Sequence, residues 1–364
     1  MNNHPLISRR ANQVLLILFF TGLMGCNQGR KQKQGSTENT RQTLTPIQQN
    51  PEDLLSGIST AVCYSGFRSG QHPDRGEGAV NPTEAQILED LQMISHDSLF
   101  RLIRLYDCGE NSEAVLRIIR ENKLDIKVML GIWLKAELSN HESCAWLNEP
   151  IPQEILDQNA IANKIEIQKG ITLANQYPAI VAAVNVGNEA LVDWNDHKVD
   201  VDTIISYCRA VKKSIKQPVT VAENYEWWAA KGTKLAKELD FIAVHIYPVW
   251  EGKDIDEAMS YSIENIQKVR DALPPSKIVI SEAGWASVAS EFGERASEQK
   301  QEQYYNELMA WTAKMNITTF FFEAFDEDWK GNPENPMGAE KHWGLFTVDR
   351  QPKKVMQPFF TEKN

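Results

Sequence analysis

The chain has 364 residues, of which 42% are hydrophobic and 24% are charged, so it is long and apolar enough to bury a sizeable core. Its formal net charge of −11 is unevenly placed: residues 1–50 hold six Lys or Arg against one acidic residue, which leaves 32 basic against 48 acidic residues, a net charge of −16, for residues 51–364. Because an acidic domain repels phosphate backbones, we expect no nucleic acid partner.

The N-terminal segment has the features of an export signal. Two arginines, Arg9 and Arg10, precede the apolar stretch 14–20, which is too short to cross a bilayer and is typical of a signal-peptide core. The sequence Leu-Met-Gly-Cys that ends at Cys26 resembles the lipobox of bacterial lipoproteins. It predicts cleavage before Cys26 and lipid modification of that residue. The alternative is a simple secretory signal that happens to contain a cysteine.

The residues after Cys26 predict a tether followed by one domain. Residues 26–54 are polar and almost free of apolar side chains, a composition that cannot form a core. We therefore divide the chain into a signal peptide (1–25), a flexible tether (26–54) and a single domain (55–364) with a lipid anchor to a membrane. We expect a protein of the bacterial cell envelope. Asn27, rather than Asp, favours the outer membrane or cell surface over the inner membrane, by analogy with enterobacterial sorting.

Eight strand patterns alternate with helical patterns along the domain. Strands are predicted near 58–64, 101–106, 126–132, 180–187, 218–223, 240–246, 277–281 and 317–323. Amphipathic helices are predicted at 82–94, 111–122, 152–177, 202–216, 254–273 and 295–315. Eight such alternations predict an α/β fold, the closed (β/α)8 or TIM barrel. The competing open sheet is disfavoured, because no G-x-G-x-x-G or P-loop sequence follows the first strand.

Two of the predicted strands end in a glutamate. Glu189 follows Val-Asn-Val-Gly-Asn, and Glu282 follows Ile-Val-Ile-Ser. A carboxylate at the end of a buried strand is costly unless it is used, and barrel active sites lie at the carboxyl ends of the strands. A helix cap or an ion pair with lysine is the alternative for each glutamate alone. Two of them predict a carboxylate pair at one end of the barrel.

The segments around these glutamates resemble glycoside hydrolase family 17. Asn188-Glu189 resembles the acid/base motif of that family, and Ser281–Trp285 resembles its nucleophile motif. Further matching segments occur in the family's order at Ala61–Gly66, Ile103–Asp107, His245–Pro248, Phe325–Lys330 and Glu340–Phe346. The resemblance covers roughly residues 57 to 360. It implies a retaining barrel glycosidase of the β-1,3-glucanase and glucanosyltransferase group.

The resemblance also implies roles for individual side chains. Glu189 would be the general acid and then the general base, and Glu282 the nucleophile that forms a covalent glycosyl-enzyme. Asn188 would donate a hydrogen bond to the sugar 2-hydroxyl, although a strand-end turn residue is the alternative. Tyr247 would hydrogen-bond Glu282 and keep it ionised, although it can equally be a packing residue.

Other candidate substrate-binding residues follow the family pattern less closely. Arg104 and Tyr106 on the second strand would orient Glu282 or line the innermost subsite. In the loop after the eighth strand, Glu327, Lys330 and Glu340 would contact sugar hydroxyls. For all five residues, a salt bridge that holds the loop or strand end is the alternative.

Tryptophans supply the expected stacking surfaces for sugar rings. The candidates lie at strand ends or in the following loops, and they are Trp133, Trp285, Trp329 and Trp343. Trp285 is the first choice because it follows the nucleophile motif. The alternative is that these rings belong to the core. The pair Trp227-Trp228 after the fifth strand is expected to be exposed and to extend the groove.

The cysteines after Cys26 leave the disulfide question open. Cys63, Cys108, Cys144 and Cys208 form an even set in an exported protein, which permits disulfides. Cys63 and Cys108 would lie at the ends of neighbouring strands, so they are the first pair to test. Four buried free thiols are the alternative, because a domain of this size does not need disulfides.

Three functions agree with the sequence. The first is a retaining endo-acting β-1,3-glucanase of laminarin type, the second is a β-1,3-glucanosyltransferase that uses the same carboxylates, and the third is a non-catalytic glycan-binding lipoprotein. A binding protein has no need of paired carboxylates, which argues against the third. The seven histidines form no H-E-x-x-H motif, so we expect no metal and no cofactor. We also expect a monomer whose partner is a neutral β-glucan polysaccharide or oligosaccharide.

Overall fold

The computed structural model of the chain describes residues 47–145 and 147–360. The predicted signal peptide, Cys26 and most of the tether lie outside these residues. The predicted tether boundary at residue 54 is wrong, because Gln49 is buried, donates to the carbonyl of Ile278 at 3.0 Å and accepts the N–H of Ile278 at 2.6 Å, so the domain begins before residue 55. Within them, parallel strands close into a barrel in chain order, and the last strand pairs with the first. The strands are β1 (Thr60–Cys63), β2 (Leu102–Arg104), β3 (Lys127–Ile132), β4 (Val181–Asn188), β5 (Val219–Asn224), β6 (Ile242–Ile246), β7 (Ile278–Ala283) and β8 (Thr319–Phe321). The predicted (β/α)8 barrel is confirmed.

Helices surround the barrel and connect its strands. They are α1 (Glu84–Ile94), α2 (Glu110–Glu121), α3 (Gln153–Gln176), α4 (Val201–Ser214), α5 (Tyr225–Lys231), α6 (Thr233–Ala236), α7 (Ile255–Ala272), α8 (Glu298–Met315) and α9 (Gln357–Phe360). Helix α1 begins with a capping box, in which Thr83 and Gln86 each accept a backbone N–H from the other. None of the helices in the described part of the chain is long and apolar enough to cross a membrane.

The helix α5 after β5 differs from the sequence prediction. The eight alternations predicted a helical pattern there without bounds, and Trp227 and Trp228 were expected to be exposed. Asn224 caps α5, and both tryptophans are buried, with the Trp228 indole donating a hydrogen bond to the carbonyl of Ala243 at 2.8 Å. A helix of seven residues is too short for its apolar period to be recognised from sequence, which explains the error.

The four cysteines of the described domain are free and buried. The Cys63 thiol faces the carbonyl oxygen of Ser281 at 3.5 Å, and the Cys108 thiol faces that of Gly131 at 3.2 Å. The two thiols are therefore directed to different backbone groups. The suggested disulfide between Cys63 and Cys108 is not formed, and the alternative of free thiols is the correct one for these residues.

Strand pairing becomes irregular where three of the strands approach their carboxyl ends. The register shifts occur at Asn185/Asn188 in β4, at Val244/His245 in β6 and at Ile280/Ala283 in β7. Such irregularities turn side chains away from the regular alternation of a strand, and they are common beside active sites. Glu189, His245 and Glu282 all lie at or next to these three shifts, whereas a fourth shift, at Val128/Met129, lies near the start of β3.

Candidate active site

The barrel brings Glu189 and Glu282 to the same end. Glu189 directly follows β4 and has a left-handed backbone with a φ of 46°. Gly187, two residues earlier, has a φ of 85°, a conformation that glycine adopts without steric cost. Glu282 lies in β7, where every residue is buried. The chain therefore turns sharply at Glu189, whereas Glu282 is held within a buried strand.

Three side chains donate hydrogen bonds to Glu282. Arg104 Nη1 lies 2.5 Å from Oε1, the Tyr106 hydroxyl lies 3.0 Å from the same oxygen, and the Tyr247 hydroxyl lies 2.6 Å from Oε2. Burial raises the pKa of Glu282, but His245, Arg104 and the two tyrosine hydroxyls outweigh burial, so the pKa lies below its usual range. Glu282 is thus ionised and fixed in direction, as a carboxylate nucleophile must be.

Arg104 also connects Glu282 to the end of β4. Its side chain is fully buried, and its Nη2 donates to the Asn188 amide oxygen at 2.5 Å. Because that oxygen faces the guanidinium, the NH2 group of Asn188 points away from Arg104, and it donates no hydrogen bond to another described residue. Asn188 therefore presents a donor to a ligand beside Glu189.

His245 lies between the two carboxyl groups. Its Nδ1 is 3.0 Å from Glu189 Oε1 and 3.5 Å from Glu282 Oε2, and its Nε2 is 3.3 Å from Arg104 Nη1. Since a guanidinium only donates, Nε2 must accept, and the ring proton therefore lies on Nδ1. His245 was quoted in the sequence only as part of a motif. The sequence feature that could have indicated the role of His245 is its position in a buried strand, two residues before Tyr247.

The position of His245 limits the separation of the carboxyl groups. Both distances share one nitrogen, so Glu189 Oε1 and Glu282 Oε2 lie no farther apart than the sum of 3.0 and 3.5 Å. Retaining glycosidases hold their carboxyl groups about 5 to 5.5 Å apart, and inverting enzymes about 6.5 to 9.5 Å apart. The upper limit of 6.5 Å includes the retaining separation and reaches only the lower edge of the inverting range, so the geometry fits direct attack by a carboxylate.

The loop after β4 encloses the other side of Glu189. Asn195 Nδ2 lies 3.2 Å from Glu189 Oε2 and 3.2 Å from its carbonyl oxygen. His197 donates to the carbonyl of Asn188 at 2.8 Å, and its ring stacks on Trp133 with centroids 4.6 Å apart. The side chain of Glu189 is 18% exposed, against 7% for Glu282. Greater access to solvent suits the group that exchanges a proton with water.

A second charged cluster lies in the loop after β8. Lys330 Nζ is 2.7 Å from Glu323 Oε2 and 2.6 Å from Glu327 Oε2, and all three side chains are largely buried. Burial raises the pKa of Glu327, but Lys330 outweighs burial and holds that pKa below its usual range. Ser65 and the Trp329 indole donate to the other oxygen of Glu327. For Glu327 and Lys330, the structure thus shows the salt bridge that was the alternative to sugar contact.

Glu340 differs from these paired residues. It is half-buried, and no other described residue forms a hydrogen bond or an ion pair with it. Burial raises the pKa of Glu340, Lys330 opposes this effect, and Glu282 and Glu189 add to the increase. Its carboxyl oxygens are therefore free to accept hydrogen bonds from a ligand close to the two catalytic candidates.

The aromatic residues divide into core and rim. Trp285 is 0% exposed, and its indole donates to the carbonyl of Arg295 at 2.8 Å. A ring with no exposed face cannot stack on a sugar, so the structure contradicts the expectation that Trp285 is a substrate platform. Trp343 is also buried, whereas Trp133 and Trp329 are half-buried at the rim. The prediction for Trp285 did not take into account that helix α8 covers its ring, through Tyr304 with centroids 5.5 Å apart.

Trp250, in the loop after β6, is an exposed aromatic residue that the sequence analysis did not select. Its side chain is 45% exposed, and its ring packs edge-on against Phe292 with centroids 4.5 Å apart. It also lies beside Trp343, whose ring is 5.2 Å from that of Tyr247. Trp250 therefore offers a supported aromatic face that is connected through the ring of Trp343 to Tyr247, a hydrogen-bond donor to Glu282.

The arrangement defines a class of enzyme. One ionised, oriented carboxylate lies opposite a more accessible carboxyl group, and an Asn donor and rim aromatics surround them. Within residues 47–145 and 147–360, no group of three or more His, Cys, Asp or Glu could hold a metal ion. These are the parts of a barrel glycosidase that works with two carboxyl groups.

The BtgE/BtgC glycoside hydrolase domain matches residues 61–344, and the chain belongs to this family. It is 25% identical over 275 residues to a glucan 1,3-beta-glucosidase of Arthroderma benhamiae, which covers 71% of this chain and 80% of the relative. An endo-laminarinase from Formosa Hel1_33_131 superposes with a TM-score of 0.70 at 26% identity, covering 85% of this chain and 90% of the other. The resemblance to glycoside hydrolase family 17 is confirmed.

The fold also matches a more distant enzyme. The family 17 beta-1,3-glucanosyltransferase from Rhizomucor miehei has a TM-score of 0.61 at 22% identity, covering 83% of this chain and 97% of that one. At this identity the match shows the shared barrel alone. The chain is therefore a glycoside hydrolase of the family 17 type, and its bond specificity has to be argued from the site and its relatives.

Proposed function

We propose that the protein hydrolyses β-1,3-linked glucan of the laminarin type through a covalent glycosyl-enzyme, with retention of configuration. The observation that carries the proposal is the environment of Glu282. Three side-chain donors keep this carboxyl group ionised, and the Nδ1 atom of His245 lies 3.5 Å from it and 3.0 Å from the carboxyl group of Glu189. The names of the Arthroderma and Formosa relatives support the choice of a β-1,3-glucan.

In the first step, Glu282 Oε2 or Oε1 attacks the anomeric carbon while protonated Glu189 gives its proton to the glycosidic oxygen that leaves. In the second step, Glu189 removes a proton from water, and the water oxygen displaces Glu282 from the anomeric carbon. His245 N–H can donate to either carboxylate, so it compensates whichever of the two carries the negative charge. Asn188 would donate to the sugar 2-hydroxyl, an interaction that strengthens in the transition state.

Further sugar contacts are expected from polar and aromatic side chains that keep exposed surface near the two carboxyl groups or at the rim of the barrel. The carboxyl group of Glu340 would accept from sugar hydroxyls. Trp250 and Trp329 would stack on neighbouring sugar rings, because both rings have exposed surface at the rim of the barrel. Arg104 and Tyr106 both donate hydrogen bonds to Glu282. They would therefore affect the substrate by orienting the nucleophile and not by contacting the sugar.

The test is product release from laminarin with the wild type, Glu282→Gln and Glu189→Gln, with Glu226→Gln as an exposed carboxylate control. We expect both site variants to lose activity and Glu226→Gln to keep it. The anomer released first, read by NMR before mutarotation, should be β. Full activity in either site variant, or an α-product, would overturn the proposal. Products longer than the substrate would identify the glucanosyltransferase instead, since an acceptor sugar would replace water in the second step.

We also propose that Cys26 carries a lipid and that the polar residues between it and Ile47 tether a monomeric enzyme to the outer membrane or cell surface. The support is the lipobox-like sequence, which lies outside the described residues. Labelling cells with a fatty-acid probe should tag the wild type and leave Cys26→Ser untagged. Equal labelling, or recovery of both proteins in the aqueous phase, would contradict the anchor. Light scattering of residues 47–364 would test the monomer.

A further inference from the structure

Glu223 is a buried carboxyl group that the proposed mechanism does not use. It lies in β5, its side chain is 0% exposed, and no cationic side chain of the described residues forms an ion pair with it. Its Oε2 has no hydrogen-bond partner among them. An uncompensated carboxylate in such a place costs several kcal/mol, whereas an apolar side chain of similar size would cost nothing. The position of the carboxyl group must therefore be explained by what its other oxygen does.

That oxygen is bound to the segment that carries Glu189. Glu223 Oε1 accepts the backbone N–H of Leu191 at 2.7 Å. The backbone N–H of Glu189 in turn donates to the carbonyl oxygen of Ala222 at 2.9 Å. Two consecutive residues of β5 thus hold the turn. Ala222 binds the backbone N–H of Glu189 itself, and Glu223 binds the backbone N–H two residues later, at Leu191.

The turn needs such support because Glu189 has a φ of 46°. For a residue with a Cβ atom, this left-handed conformation costs roughly 1 to 2 kcal/mol of free energy. The conformation persists only where the surrounding structure enforces it. Without the bond from Leu191, the backbone can relax towards the extended conformation that continues β4. Relaxation would rotate the Glu189 side chain away from His245 and from the position opposite Glu282.

We propose that Glu223 is a positioning residue for the acid/base Glu189: by accepting the N–H of Leu191, it fixes the left-handed turn that directs the Glu189 carboxyl group into the barrel mouth. Asn195 contributes a second link through the carbonyl of Glu189. The Asn195 amide lies on an exposed loop, however, whereas Glu223 belongs to the barrel wall. The proposal rests on the retaining mechanism assigned above.

The carboxyl group performs this task in its neutral form. Burial raises the pKa of Glu223 well above its usual range, and the charge of Glu189 raises it further. A neutral carboxylic acid keeps a carbonyl oxygen that accepts the N–H of Leu191. Glutamine keeps the same acceptor at the same reach, aspartate keeps the carboxyl group but is one methylene too short, and leucine has no acceptor. The three variants thus separate the acceptor from the charge and from the volume.

The experiment measures hydrolysis of dinitrophenyl β-laminaribioside with and without azide, together with kcat and KM on laminarin. The dinitrophenolate leaves without a proton, so the first step does not need Glu189. Azide then attacks the anomeric carbon of the glycosyl-enzyme, the C–N bond forms, the bond to Glu282 breaks, and β-glycosyl azide is released without a base. Acceleration by azide therefore reports an absent or misplaced acid/base.

We expect E189A to be accelerated strongly by azide, as the benchmark. E223L and E223D should also be accelerated, and their kcat on laminarin should fall roughly ten- to hundredfold with KM within about twofold, because a displacement of about 1 Å costs up to about 10²-fold. E223Q should match the wild type in kcat and in its lack of azide response.

The matched control is T220V, at the other end of the same strand. Thr220 is also fully buried, and its hydroxyl donates to the carbonyl of Phe241 at 2.7 Å. T220V should lower the melting temperature without any azide response. Wild-type kcat in E223D or E223L, or a loss of kcat without azide acceleration, would overturn the role of Glu223. If E223L does not fold, the difference between E223D and E223Q decides. Absence of azide acceleration in E189A would overturn the retaining mechanism itself.

Discussion

Two buried carboxylate clusters lie at the mouth of this barrel, and each contains one long cationic side chain. In the first, Arg104 binds Glu282 and leaves Glu189 to donors from His245 and Asn195. In the second, Lys330 binds Glu323 and Glu327 at once. The same elements, two carboxyl groups and one cation, are thus arranged in two different ways.

The difference shows that a buried cluster of carboxyl groups and one cation can either take part in a reaction or stabilise a loop. Burial lowers the pKa of Lys330, but Glu323 and Glu327 raise it more strongly, so the cation stays charged and both carboxyl groups are occupied. The cluster around Lys330 therefore has little left to offer a substrate, and it stabilises the loop. Around Arg104 one carboxyl group is ionised and the other is accessible, so a substrate can still change their charges. The following predictions test this division.

The largest expected effect is on catalysis, from Glu282→Gln. Without a nucleophile, kcat on laminarin should fall by at least about 10³-fold. Because Gln keeps the volume, because its amide oxygen can still accept from Arg104 and because its NH2 group can donate to the Tyr247 hydroxyl, the fold should be retained. Circular dichroism and a melting curve beside the activity assay check both statements. A variant that unfolds would show that the first cluster is also a structural one.

The largest expected effect on stability comes from Lys330→Met. The substitution leaves Glu323 and Glu327 close together without a cation, and breaking a buried pair in this way costs about 3 to 5 kcal/mol. Chemical denaturation measures the loss. Lys234→Met, which removes an exposed pair with Asp202, is the control and should have no measurable effect. Equal stability of the two variants would contradict the structural role of the Lys330 cluster.

A smaller effect is expected from Tyr247→Phe. The hydroxyl bonds to Glu282 Oε2 and favours its ionised form, so its loss raises the pKa of Glu282. Ionised Glu282 is required, so the acidic limb of the kcat/KM profile should move to higher pH. At neutral pH, kcat/KM should fall roughly tenfold, as for a hydrogen bond to a charged group. An unchanged acidic limb would mean that Tyr247 only packs against its neighbours.

The smallest effect is expected from Glu340→Gln. This carboxyl group has no partner in the described chain, so its replacement should leave stability unchanged. Loss of one or two acceptors for sugar hydroxyls should raise KM for laminari-oligosaccharides by roughly two- to tenfold, with kcat largely retained. A fall in melting temperature with constant KM would place Glu340 in the loop scaffold with Lys330.

Much of the architecture was predictable because its signals are local. Each strand is a short apolar run, and every predicted strand is present with boundaries that differ by a few residues. The barrel then sets the ends of β4 and β7 at one rim, which is why Glu189 and Glu282 could be found from sequence. The short helix α5 and the burial of Trp228 could not be found in this way, since both depend on packing against β6.

The sequence by itself determined the class of fold, the two strand-end glutamates and the family they belong to, because apolar periodicity and short motifs are properties of neighbouring residues. Only the tertiary structure decided the environment of those glutamates. It showed that His245 faces both of them, that Glu223 holds the turn at Glu189, and that Trp285 is covered by helix α8. These contacts join residues from strands or helices far apart in the chain, and the hydrogen-bond distances that set charge and direction exist only after the barrel has closed.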